Sequence, residues 1–89
     1  MTQNDDQSTP AGPAEAEALA AHAVQTFLNS CRISDRAQIG NYLMKLCSVA
    51  SVLMAQAEGS ESAGRRLEGT AAWVRKTMPA KPANLEILQ

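Results

Sequence analysis

The segment Ala37–Ala57, AQIGNYLMKLCSVASVLMAQA, constrains this chain more than any other. It is too apolar for an ordinary surface helix. It is also too polar to span a bilayer: Asn41, Lys45 and Gln56 interrupt it, leaving an uncharged run of about a dozen residues where about 20 are needed. Wound as an α-helix, it places Ile39, Tyr42, Leu43, Leu46, Cys47, Val49, Ala50, Leu53, Met54 and Ala57 on an arc of about 160°. An arc that wide can touch two neighbouring helices. The spacing therefore predicts a central helix over about 35–58, buried against two others.

The rest of the 89 residues supplies those neighbours. Pro13 suits a first helical turn, where its missing N–H costs nothing, and Glu15 and Glu17 complement the positive end of the dipole. A helix over about 13–31 then carries Leu19, Ala20, Ala23, Val24, Phe27, Leu28 and Cys31 on one half-cylinder, with Glu15, His22, Gln25, Thr26 and Asn29 on the other. Ser34 is the expected N-cap of the second helix. Gly59 suits its left-handed end and Ser60 the next N-cap. The third helix spans about 61–78, with a narrower stripe of Ala63, Leu67, Thr70, Ala71, Val74 and Met78, and Pro79 stops it.

The pattern predicts an all-α fold, a three-helix antiparallel bundle. Residues 1–12 are polar and lack apolar periodicity, so they read as a disordered arm. Residues 79–89, PAKPANLEILQ, read as an extended tail. Leu85, Ile87 and Leu88 give it reason to pack on the bundle or on a partner.

The core is thin. Apolar residues make up 45% of the chain, yet only Phe27, Tyr42 and Trp73 are aromatic and alanine is frequent. Small domains with little buried area often associate, so a homo-oligomer, most simply a homodimer, is expected. The back of the second helix offers an interface: Met44 and Val52 flank the small residues Ser48, Ser51 and Ala55.

The formal net charge of −1 argues against an overall field that would gather nucleic acid or anionic lipid. The first 30 residues carry four acidic side chains and no Lys or Arg, whereas residues 31–89 carry eight basic against five acidic. Complementarity within the chain accounts for that asymmetry. Two cysteines outside any CxxC pair and a single histidine fall short of a zinc ligand set. No phosphate loop or nucleophile elbow is present. No metal, cofactor or catalytic residue is therefore expected. Cys31 and Cys47, at the edges of apolar faces, read as buried and inert thiols. The polar, acidic start of the sequence is unlike a secretory signal, so a cytoplasmic location is expected.

Trp73 stands apart. It lies off the apolar stripe of the third helix, with Arg66 seven residues before it, Gly69 four before and Lys76 three after. Gly69 leaves a hollow beside the indole. Trp and Arg dominate protein-binding hot spots. Trp73, Arg66, Lys76, Leu85, Ile87 and Leu88 are accordingly the candidate partner-binding residues. The function expected is a small interaction protein: an adaptor, inhibitor or assembly subunit. The alternative is a nucleic-acid-binding regulator using Arg65, Arg66, Arg75 and Lys76. Glu61 and Glu68 interleave with those cations, which marks a solvated face more than a phosphate footprint.

Overall fold

A computed structural model describes residues 9–82, which form three α-helices and one 3-10 turn: α1 (Pro13–Ser30), the turn Arg36–Gln38, α2 (Ile39–Glu58) and α3 (Ser60–Thr77). The all-α class expected from the sequence is the class observed. The chain divides into two compact units between Arg32 and Ile33.

The first unit is α1. Gly12 stands at its N-cap in extended geometry and Pro13 opens its first turn. The Ala16 N–H donates to the Gly12 carbonyl at 2.8 Å. Leu28 is buried, Val24, Phe27 and Cys31 are half-buried, and Leu19 at the other end of the stripe is 57% exposed. Two bonds close the helix: Cys31 N–H to Phe27 O and Arg32 N–H to Asn29 O, both 3.0 Å. Arg32 then takes a left-handed conformation with φ 59°.

In the second unit, the cap of the central helix differs from the one expected. Asp35, not Ser34, accepts the Ala37 N–H, at 3.0 Å. It caps a 3-10 turn, and the α-helix proper begins at Ile39 instead of Asp35. Aspartate bonding the N–H two residues on is a common way to start a turn, and here it tightens the entry by one short 3-10 segment.

Gly59 alone joins α2 to α3. With φ 94° and ψ 152° it occupies a region open essentially to glycine. Its N–H donates to Ala55 O at 2.8 Å and its carbonyl accepts from Ala63 N–H at 3.1 Å. One residue therefore ends one helix and starts the next, and Ser60 is already helical and makes no side-chain cap. The two helices run antiparallel: the start of α2 (Ile39, Gly40) and the residues after α3 (Met78, Pro79) line one space at the end away from Gly59.

Packing within this hairpin is uneven. Ala63 is 3% exposed, and Ser62, Gly64 and Leu67 are half-buried. Small residues there let the helix backbones approach. Beyond Leu67 every residue of α3 is exposed, so its predicted stripe is covered only in its first half; Thr70, Ala71, Val74 and Met78 lie open. The expectation of a buried central helix is also corrected. No side chain of α2 is fully buried, and Val49 and Leu53, near the middle of its apolar arc, are each 63% exposed. The half-buried residues are Ile39, Tyr42, Leu43, Leu46, Ser51, Met54 and Ala55. An arc of about 160° is wider than the sector one facing helix covers, so α3 leaves much of it open.

Candidate functional site

The surface where the sequence-predicted residues converge is built on the hairpin. Thr70 and Trp73 lie one turn apart on α3, with Arg66 and Gly69 one turn before them. These four residues and Met54 of α2 line a hollow of about 470 Å³. Trp73 is 59% exposed. A Cβ at Gly69 would meet nothing within 4 Å, so the missing side chain leaves open space beside the indole. Thr77 Oγ1 donates back to the Trp73 backbone carbonyl at 2.8 Å, in the last turn of the helix.

Met54 ties this hollow to a larger apolar surface. On the α2 wheel Tyr42, Leu46, Val49 and Leu53 fall within about 60° of one another. The exposed Ala50 and Ala57 connect that stripe to Met54. Large exposed apolar side chains are ordinary when scattered. Here Val49 and Leu53 are exposed and share one face of α2 with the half-buried Tyr42 and Leu46.

Electrostatics frame one end. Arg66 Nε donates to Glu58 Oε2 at 2.6 Å, and Ser62 Oγ donates to the same oxygen at 2.9 Å. The Arg66 hydrogen bond, followed by that of Ser62, holds the Glu58 carboxyl below its ordinary value. The guanidinium is thus fixed at the edge of the hollow by a carboxylate from across the turn. This tie joins residues eight apart, a spacing that helix rules do not flag.

The other predicted residues are placed as follows. Lys76 is exposed, one turn beyond Trp73. Leu85, Ile87 and Leu88 lie outside the described residues. On the back of α2, Met44 and Val52 are 57% and 56% exposed and Ser48 is also exposed. Ser51 and Ala55 are half-buried, and Ser51 Oγ donates to Cys47 O at 2.7 Å. Met44 and Ser48 border a shallow hollow with Asn41 and Lys45.

Of the basic residues, Arg65 pairs with Glu61 at 3.1 Å and Arg66 with Glu58. Half of the predicted basic strip is therefore already engaged with carboxylates. Arg75 and Lys76 close the C-terminal end of α3, where cations complement the helix dipole.

Both cysteines are free thiols; Cys31 is half-buried, but Cys47 is exposed, which corrects the expectation that both are buried. Among the described residues no cluster of His, Cys, Asp or Glu could hold a metal ion, and no helix is long and apolar enough to cross a membrane. Compared with known families, with characterised proteins and with solved structures, the chain matches none.

Sequence reasoning missed the open stripe of Val49 and Leu53 by assigning it to the core. It also missed the space at the open end, lined by Arg36, Ala37, Ile39, Gly40, Met78, Pro79, Lys81 and Pro82. Pro79 and Pro82 were its one available signal, since two prolines keep the chain extended past the helix end.

Proposed function

We propose that this chain is a non-enzymatic protein–protein interaction module that docks a partner on the apolar surface centred on Trp73. One observation carries the reading: Trp73 stands largely exposed in a hollow it shares with Met54 and with the arginine that Glu58 holds. An indole beside an oriented guanidinium is the composition of a binding hot spot. A role as adaptor, inhibitor or assembly subunit fits a surface of this kind. The exposed Met44, Ser48 and Val52 supply a separate surface for pairing two copies, which makes a homodimer the proposed form. The free thiols suit a reducing compartment, and we place the protein in the cytoplasm. The ion pairs of Arg65 and Arg66 speak against the nucleic-acid alternative.

The test is a Gly69→Cys variant, made with Cys31→Ser and Cys47→Ser so that the one thiol left carries a short photo-crosslinker, used on an extract of the cells that make the protein. A discrete adduct is expected, and it should vanish when Trp73→Ala is added while the helical circular dichroism stays unchanged. An adduct pattern indifferent to Trp73 overturns the proposal.

A further inference from the structure

We infer that the partner taken by the Trp73 hollow is an acidic, apolar peptide segment. Its apolar side chain fills the space over Gly69 while a neighbouring carboxylate meets Arg66. The inference rests on the docking surface proposed above and adds the chemistry of what docks there.

Three observations select this chemistry. The first is how the ion pair is presented. Arg66 donates to Glu58 Oε2 through Nε at 2.6 Å, and Ser62 Oγ donates to the same oxygen at 2.9 Å. The Glu58 side chain is 28% exposed and the Arg66 side chain 65%. The pair thus covers its acidic half and shows its basic half. Nε supplies a single N–H, and the two Nη groups carry the rest of the guanidinium's donors. A guanidinium braced at Nε suits a second carboxylate in the flat, two-bond geometry of Arg–carboxylate pairs. Glu58 already holds the arginine in place, so less side-chain freedom is lost when that carboxylate binds.

The second is the hollow itself. Met54, Gly69, Thr70 and Trp73 line its 470 Å³ with Arg66, and none of these described residues is acidic. A Cβ at Gly69 would meet nothing within 4 Å, and Trp73 is 59% exposed. A thioether and an indole beside an empty position reward an apolar side chain. Gly69 lies three residues after Arg66, about 4.5 Å along the helix axis. Side chains that close come from residues one helical turn apart, or two apart in an extended segment. Anchor and carboxylate therefore belong to one short stretch of the partner.

The third is charge beyond the hollow. Residues 69–77, GTAAWVRKT, include Arg75 and Lys76 and no acidic residue. Lys76 lies outside the hollow, exposed, one turn past Trp73. An acidic segment is drawn to this half of α3 and a basic one is repelled. A phosphate backbone asks for a denser set of cations, and Arg65 is already paired with Glu61.

The test is selection from a displayed library of random peptides on the immobilised full chain. Trp73 is the sole tryptophan, so its emission then reports binding of each selected peptide without a label. The expected result is enrichment of a large apolar residue with Asp or Glu within one helical turn. Such a peptide should shift Trp73 emission to the blue and weaken as salt rises. Arg66→Gln should weaken it about tenfold, and Trp73→Ala should abolish its capture. The double variant Glu58→Lys/Arg66→Glu keeps an ion pair but turns its acidic half outward. It should select Lys or Arg where the native chain selects an acid. If circular dichroism shows that the double variant loses helix, Arg66→Gln decides alone.

Peptides that need Trp73 but carry no acid, or that ignore Arg66→Gln, overturn the inference and keep the docking surface. Acidic peptides that bind equally well to the Trp73→Ala variant defeat both. If no Trp73-dependent peptide is enriched the inference falls, and the Gly69→Cys crosslink then decides whether the docking surface stands. A blue shift that appears on concentrating the protein alone assigns the hollow to a second copy. Trp73-dependent binding of a single-stranded oligonucleotide assigns it to nucleic acid. Either result overturns the acidic peptide.

Discussion

The two ends of the α2–α3 hairpin are built on opposite principles. At the turn, Ala63 is buried, Ser62 and Gly64 are small, and Glu58 bridges to Arg66 and Ser62. At the other end Trp73 and Val74 of α3 and Met78 just after it are open to solvent, 59%, 43% and 53% exposed, and a space opens between Gly40 and Met78. One helix is thus packed along its first half and exposed along its second. Packed and open surfaces are separated along its length instead of around its circumference. Segments with few buried apolar contacts are the ones that open and rearrange most readily.

The sharpest way to break this comparison is a matched pair of substitutions. Ala63→Leu forces an isobutyl group between apposed helices and should lower the unfolding free energy by up to about 3 kcal/mol. Val74→Leu at the open end should change it by no more than about 0.5 kcal/mol. Urea denaturation of both variants measures the difference, and equal effects would erase the distinction between the ends. Next in size is Gly59→Ala. A Cβ there meets nothing within 4 Å, so the cost is conformational alone, about 1–2 kcal/mol. The same denaturation series reads it, and slower hydrogen exchange at the turn than around Trp73 should shrink with it.

The smallest effect concerns Glu58. Its carboxyl is held below its ordinary value in the folded chain. Its stabilising contribution is therefore fully present above the unfolded-state value and is lost as pH falls through the folded one. Glu58→Gln should lower the thermal midpoint slightly at neutral pH, and the gap to the native chain should close on acidification. A gap that widens in acid would reverse the sign. The partners are solvent-accessible, so high salt should narrow the gap as well.

Much of this architecture was legible in the residues. Pro13 and Gly59 marked helix ends through the backbone geometry that each permits. Trp73 and Gly69, one turn apart, announced a ring beside an empty position. The failures have a common cause. Periodicity tells which side chains share a face, not whether a face finds a neighbour. Val49 and Leu53 lie in the apolar arc of α2 and are nonetheless open. The competition between Ser34 and Asp35 for the cap turns on one hydrogen bond, to Ala37, which composition cannot weigh. The Glu58–Arg66 tie depends on the turn between them and becomes visible only once Gly59 has brought the two helices together.

That single-residue connection has a further consequence. With no slack between α2 and α3, the rotational phase of one helix against the other is locked. Each residue inserted or deleted between Gly59 and Trp73 would swing the indole by about 100° around its axis, away from Met54. The chain can therefore tolerate changes of residue along this stretch far more readily than changes of length, and the spacing of 14 residues from Gly59 to Trp73 behaves as a quantity the molecule must keep.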